Sequence, residues 1–183
     1  MRLVLVDRDG TINVRRPDGY IDRVEDVVFL EGSIGAFAKL ARAGIGSAIV
    51  TNQAGIGRGL VQPADVARVN AHVLQTLRAH GADVEHVYCC PHAPADDCAC
   101  RKPRPGLLLR ALRERDVAPE NAVLIGDSAS DVAAGQAAGV RTILVLTGRG
   151  REDRDACPGT ATAANLEEAV DRLLDERTEE RTA

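Results

Sequence analysis

Leu3-Val4-Leu5-Val6-Asp7-Arg8-Asp9-Gly10-Thr11-Ile12-Asn13 decides how the rest of the chain reads. Four β-favouring apolar residues stop abruptly at two carboxylates two positions apart, followed by glycine and a hydroxyl residue. A continuous apolar run bounded by a turn signal reads as a strand buried on both faces, the kind found in parallel sheets. Open α/β sheets bind ligands beyond the carboxyl ends of such strands, so Asp7 and Asp9 are expected to face a ligand.

The pattern repeats along the chain. A strand over 45–50 ends in Thr51-Asn52-Gln53, and one over 84–89 runs into Cys90-Pro91-His92. A strand over 122–125 ends in Gly126-Asp127-Ser128-Ala129-Ser130-Asp131, and further strands are expected over 141–146 and, shorter, over 160–164. Helical spacing and end signals place helices over 33–43, 63–80, 105–116, 131–139 and 166–174. The polar residues of the 63–80 helix are expected to face solvent. Residues 12–29 read as an ordered loop or flap, since Pro17 and Gly19 break any helix. Gly55-Ile56-Gly57-Arg58-Gly59 reads as a flexible loop able to bring backbone amides close to an anion. Strands alternate with helices throughout. The fold class is therefore α/β: one doubly wound domain over 1–176, with a parallel sheet of five to six strands and helices on both faces. Residues 177–183 read as a charged, frayed tail.

A chain of 183 residues can bury a sizeable core. Apolar residues make up 45% and aromatics 2%, so that core must be built from Ala, Val, Leu and Ile. A net charge of −4 argues against nucleic acid and anionic membrane as partners. No apolar stretch approaches a membrane span and no signal-peptide pattern opens the chain, which points to a cytoplasmic protein, expected as a monomer. Four of the five cysteines fall between Cys89 and Cys100, a distribution typical of metal binding rather than of disulfides.

The strand ends together suit phosphoryl transfer. A carboxylate that attacks phosphorus divides one hard displacement into two easier ones, and Asp7, nearest the rigid strand, suits that role. Asp9 can protonate the leaving alkoxide and then activate water. So many acids in one place require a cation, and Mg²⁺ held by the side chains of Asp7 and Asp127 with a main-chain carbonyl near Asp9 satisfies the requirement. Thr51 would donate a hydroxyl hydrogen bond to phosphoryl oxygens and Lys102 would supply positive charge. Asn52, Gln53, Arg58, Arg101 and Ser128 are the expected substrate contacts. Asp131 has two readings: indirect metal binding, or orientation of Lys102 from the first turn of its helix.

Asp7-Arg8-Asp9-Gly10-Thr11, Thr51-Asn52-Gln53, Lys102-Pro103 and Gly126-Asp127-Ser128-Ala129-Ser130-Asp131 resemble, in order, the four motifs of the haloacid dehalogenase superfamily of phosphatases. The resemblance implies a Rossmann-like sheet, an aspartyl-phosphate intermediate and Mg²⁺. It assigns nucleophile and acid/base to Asp7 and Asp9. No insertion after the first or second motif is large enough for a separate cap domain, so a capless member is expected.

Cys90-x-His92 and Cys98-x-Cys100 supply three thiolates and one imidazole, a complete set for a closed structural Zn²⁺ site that would fasten the loop carrying Arg101 and Lys102. Cys89 reads as core and Cys157 as a free thiol. Cys-Pro-His and Cys-x-Cys-Arg-Lys-Pro, with Asp18-Gly19-Tyr20 and the 55–59 glycines, are similar to a narrower branch: heptose 1,7-bisphosphate 7-phosphatases and the related histidinol-phosphate phosphatases. In that branch the arginine before the lysine contributes to substrate recognition, which falls on Arg101. Departures are the short zinc loop and the extra Arg15-Arg16-Pro17.

The leading expectation is a Mg²⁺-dependent phosphatase removing the 7-phosphate of D-glycero-D-manno-heptose 1,7-bisphosphate. Arg101, with Arg15, Arg16 or Arg58, would clamp the second phosphate. Histidinol phosphate, or another small phosphomonoester, is the alternative substrate. A different class is a zinc-stabilised nucleic-acid module using Arg101, Lys102, Arg104, Arg110, Arg113 and Arg115.

Overall fold

The computed structural model describes residues 1–182, and side chains to residue 179. In chain order the elements are β1 (Leu3–Val6), α1 (Ser33–Arg42), β2 (Gly46–Asn52), α2 (Ala54–Gly57), α3 (Pro63–Ala79), β3 (Val84–Cys90), α4 (Gly106–Glu114), β4 (Ala122–Gly126), α5 (Ala129–Ala138), β5 (Arg141–Val145), α6 (Gly150–Asp153), β6 (Ala161–Ala163) and α7 (Leu166–Thr182). The six strands form one sheet in the order β3-β2-β1-β4-β5-β6, with every pairing parallel.

Strand alternation divides the core in two. Val4 and Val6 point to the face covered by α1, α3 and α7, where they meet Phe37, Leu40, Val73, Leu77 and Val170. Leu3 and Leu5 point to the other face, against Leu107, Leu108 and Leu112 of α4 and Ala134 and Ala138 of α5. All four β1 side chains are essentially inaccessible, each large one contributing about 1.5–3 kcal/mol of burial. The small residues of α5 are needed where the helix lies close to β4 and β5. A Cβ at Gly135 would collide with Thr142.

The strand order reverses at β1, because the chain moves outward from it to β2 and β3, then returns beside it as β4. This switch point opens a crevice at the carboxyl ends of β1, β2 and β4, where the acids sit.

Four local expectations change. β2 continues through Thr51 and Asn52, which pair with Cys89 and Cys90 of an equally extended β3. Residues 54–57 form the helical turn α2 rather than a flexible anion loop. The Gly57 amide donates to the Pro91 carbonyl (2.8 Å), and a Cβ there would strike the backbone of Pro91 and Ala93. Gly57 therefore permits close packing of α2 on the cysteine loop, while a Cβ at Gly55 would strike Tyr20 and Val61. The stretch 147–159 contains α6 instead of being wholly loop. Finally, α7 runs past Leu174 to Thr182, with Arg177 donating to the Ala43 carbonyl (2.7 Å). The segment 177–182, expected as a frayed tail, lies within that helix's span, and residue 183 lies outside the described residues. No helix among the described residues is long and apolar enough to cross a membrane.

Candidate active site

Asp7 leaves the end of β1 with its amide donating to the Ile125 carbonyl of neighbouring β4, so its side chain emerges from the middle of the sheet (2.9 Å). Lys102, only 3% exposed, reaches in from the loop before α4. Its Nζ donates to Asp7 Oδ1 (2.6 Å), Asp131 Oδ1 (2.5 Å) and the Val50 carbonyl (2.9 Å). All three ammonium donors are thus used. Burial works against the charge on Lys102, but Asp131 and Asp7 outweigh it and hold its pKa above the ordinary value. Asp7 is pushed in the opposite sense from an ordinary paired acid. Burial raises its pKa well above the usual range, with Asp131 and Asp127 adding to the rise, and Lys102 only partly offsets this. Asp127 is raised to about 6, by burial and by Asp131.

Asp7, Asp127 and Asp131 each offer a carboxylate oxygen, all within 4.8 Å of one another. One lysine for three buried acids leaves the cluster over-acidic. That imbalance suits a hard divalent cation with oxygen ligands. Asp127 is steadied by the Arg149 amide, which donates to Oδ2 (2.9 Å). Gly10, at φ 97°, passes so close that a Cβ would lie 2.6 Å from Asp127 Cγ. Asp131 also closes the N-terminus of α5, accepting from the Ser128 amide (3.1 Å) and the Ser128 hydroxyl (2.5 Å). Both readings of Asp131 are therefore compatible with its place: it touches Lys102 and it belongs to the acidic group.

The Asp9 side chain turns away from that group. Its carboxylate accepts from Arg8 Nε (3.1 Å) and Nη2 (2.8 Å), Asn13 Nδ2 (2.9 Å) and Gln53 Nε2 (2.8 Å). Burial opposes its charge, yet Arg8 and these hydrogen bonds prevail and lower its pKa. Gln53 also donates to Thr51 Oγ1 (2.9 Å). Because that oxygen is already an acceptor, the Thr51 hydroxyl hydrogen is left to be donated into the crevice.

These groups sit on the wall of a cleft of about 1010 Å³ that also receives Arg15, Arg16, Tyr20, Arg58, Arg101 and Arg149. Of the expected contacts, Asn52, Arg58, Arg101 and Ser128 line it, while Gln53 is buried behind Asp9 and Thr51 and does not. Asn52 spends its amide on the Lys102 backbone. Arg58 donates to the Tyr20 hydroxyl (3.1 Å). Arg101 Nη1 is buried without a hydrogen-bond partner among the described residues, a costly arrangement unless an anion completes it.

At the rim, Cys90, His92, Cys98 and Cys100 converge. Sγ–Sγ distances run from 3.2 to 3.6 Å, and His92 Nδ1 lies 3.2 Å from Cys100 Sγ. The described cysteines are free thiols, and burial raises the pKa of both Cys90 and Cys100. Three soft donors and one imidazole packed this closely fit a tetrahedral Zn²⁺. Cys89 and Cys157 stand outside the group. The arginines proposed for a nucleic-acid patch are largely matched to acids: Arg104 to Asp97, Arg110 to Glu114 and Arg115 to Glu85.

Sequence reasoning passed over Arg8, Asn13, Asn70 and Arg149. Arg8 is completely buried, and its Nη1 donates to Asn70 Oδ1 on α3 (2.6 Å). Asn70 thus faces inward, against the expectation for the polar residues of that helix. A signal was present, since Asn70 falls on the stripe of Val66, Val69, Val73 and Leu77. Arg149 carried no such signal, because its place depends on how the loop after β5 returns to the sheet.

The HAD-hydrolase-like family model matches residues 99–169. The chain is 39% identical over 150 residues to a D-glycero-beta-D-manno-heptose-1,7-bisphosphate 7-phosphatase of Pseudomonas putida, covering 82% of this chain and 85% of that one. It is 35% identical over 179 residues to the like-named protein of Bordetella bronchiseptica, covering 96% and 99%. The crystal structure of the D,D-heptose 1,7-bisphosphate phosphatase from B. bronchiseptica, complexed with magnesium and phosphate, superposes with a TM-score of 0.91 at 34% identity, over 96% of this chain and 99% of that one.

Proposed function

The chain belongs to the heptose-1,7-bisphosphate 7-phosphatases of the haloacid dehalogenase superfamily, and on that premise we propose that it hydrolyses the 7-phosphate of D-glycero-β-D-manno-heptose 1,7-bisphosphate, supplying the 1-phosphate for nucleotide activation. The anomer is the one named for the relatives. The observation that carries the reading is the triad of Asp7, Lys102 and Asp131 beside Asp127, at the foot of a cleft rimmed with arginines.

In the first half-reaction an Asp7 carboxylate oxygen bonds to phosphorus while the bond from phosphorus to the sugar oxygen breaks, and Asp9 gives that oxygen its proton. In the second, water attacks the acyl phosphate, Asp9 takes the water's proton, and Asp7 is released with inorganic phosphate. Lys102 and the Thr51 hydroxyl stabilise the charge on the transferring group. Gln53 orients Thr51 and Asp9 instead of touching substrate. Asp7, Asp127 and a main-chain carbonyl near Asp9 would hold Mg²⁺, which supplies neutralising charge at the phosphoryl oxygens. Asp131 fits best as the orienter of Lys102. Cys90, His92, Cys98 and Cys100 would hold a structural Zn²⁺ that fastens the loop presenting Arg101, whose unpartnered Nη1 favours a doubly phosphorylated substrate over histidinol phosphate. Arg58, Arg101 and Ser128 are the side-chain contacts to substrate, while Asn52 acts through Lys102. None of the described cysteines is joined in a disulfide, which suits a reducing compartment such as the cytoplasm.

The test is kcat/KM with Mg²⁺ for both heptose 1,7-bisphosphate anomers, fructose bisphosphate and histidinol phosphate. The expected order places the β heptose first, and Arg101→Ala removes most of its advantage. Preference for histidinol phosphate would overturn the substrate.

A further inference from the structure

Arg8 is a charged side chain with no accessible surface, placed between the two carboxylates of the opening motif. Its guanidinium meets Asp9 edge to edge, Nε on Oδ1 and Nη2 on Oδ2, the bidentate pairing that fixes the plane of a carboxylate as well as its distance. Neutralising Asp9 would need no more than that. The remaining nitrogen, Nη1, is tied to Asn70 Oδ1 on α3, a residue 62 positions away that occupies the helix's apolar stripe. An amide on that stripe has no packing advantage over the valines around it. Its contact with Arg8 accounts for its presence.

The result is a chain of rigid contacts from a helix to a carboxylate. Asn70 sets the guanidinium plane, and the guanidinium sets the Asp9 plane. Asn13 and Gln53 complete the carboxylate's shell from the other side. We infer that Arg8, anchored by Asn70, is a positioning residue that aims the Asp9 carboxylate at the sugar oxygen. This rests on Asp9 as the proton carrier. A misdirected acid costs most where the leaving group needs its proton, because an alkoxide leaves poorly while p-nitrophenolate leaves unaided. Since kcat/KM reports only steps up to leaving-group departure, it isolates that half of the reaction.

The experiment measures kcat/KM for the heptose bisphosphate and for p-nitrophenyl phosphate in wild type, Arg8→Lys, Asn70→Ala and Asp9→Asn, all with Mg²⁺. The expected result is at least a tenfold fall in the sugar-to-aryl ratio for Arg8→Lys and Asn70→Ala, and a larger fall for Asp9→Asn. Lys keeps the charge but loses the fork, and Asn70 touches no reacting group, so a general loss of stability would lower both substrates alike. Should Arg8→Lys fail to fold, Asn70→Ala decides. If Asp9→Asn collapses the ratio while the positioning variants keep the wild-type ratio or lose both activities equally, the positioning role is overturned and the acid/base assignment stands. A ratio that Asp9→Asn leaves unchanged overturns both.

Discussion

Asn52 and Lys102, fifty residues apart, are joined like two rungs of a ladder: Asn52 Nδ2 donates to the Lys102 carbonyl (2.9 Å) and the Lys102 amide donates to Asn52 Oδ1 (3.1 Å). A side-chain amide here takes the place of a neighbouring strand. It holds the backbone of the lysine whose ammonium reaches Asp7, so the last residue of β2 governs a group beyond the end of β1. Asn52→Ala removes both bonds, at about 1 kcal/mol each. The expected outcome is a thermal midpoint lower by a few degrees together with a fall in kcat of about tenfold or more. Calorimetry beside steady-state kinetics checks it, and an unchanged kcat would show that Lys102 needs no such clamp.

Asp7→Asn should abolish turnover without destabilising the protein. Burial and the neighbouring Asp131 and Asp127 hold the Asp7 pKa up, so ionising it costs folding energy, which the amide avoids. Equal or higher thermal stability with activity at background is expected. Residual turnover near wild type would remove Asp7 from the nucleophile's role.

The same acids set a pH dependence. A carboxylate whose folded pKa lies above its unfolded value stabilises the fold below the unfolded pKa, near 3.9, and that contribution is lost as pH rises through the folded one. Asp127, at about 6, therefore loses its contribution between about pH 4 and pH 6, with Asp7 acting in the same direction. Asp9 has the opposite sign, its contribution being lost only as pH falls below the ordinary carboxylate range. In magnesium-free buffer with the zinc site intact, the thermal midpoint should fall from pH 5 to pH 7.5. Added Mg²⁺ should raise the midpoint more at pH 7.5 than at pH 5, through binding to the folded state alone. Equal shifts at both pH values would argue against a cation among these acids.

Cys98→Ser tests the rim. Purified without chelators, the wild type should carry one zinc per chain and the variant close to none. Loss of the loop's fastening should lower the thermal midpoint by several degrees and raise KM for the bisphosphate more than it lowers kcat. Zinc absent from the wild type would leave the four donors without their proposed ion.

Gly57→Ala probes the contact between α2 and that loop. Its Cβ would fall against the Pro91 carbonyl oxygen (2.9 Å) and the His92 backbone (3.0 Å), so the loop must move, at about 1–3 kcal/mol. Gly59→Ala meets open space but strains a φ of 68°, costing about 1 kcal/mol. Chemical denaturation should rank Gly57→Ala as the more damaging, and a reversed order would mean that backbone freedom, not close packing, explains these glycines.

The opening stretch alone was enough to read a buried parallel strand with acids at its tip. Thr51 and Asp127 were legible as further corners of the candidate site because strand ends in a doubly wound sheet converge, and Lys102 through its place in the motif order; all three line one cleft. The cysteine loop was equally legible, since its four donors lie within one short segment. What local pattern could not supply was direction. Gln53 sits two residues from Thr51, yet its amide turns to Asp9 and Thr51 instead of the cleft. The 55–59 glycines read as anion-binding because a glycine's permissiveness says nothing of which backbone will approach it. The sequence by itself determined the sheet, from periodicity, and the set of acids at its edge, from residue type, while the reaction was read from the motifs' resemblance to a known superfamily. Only the tertiary structure decided that Asp9 is gripped by Arg8, and Arg8 by Asn70, because hydrogen bonds between a motif and a helix 62 residues away exist only once α3 is packed against the sheet.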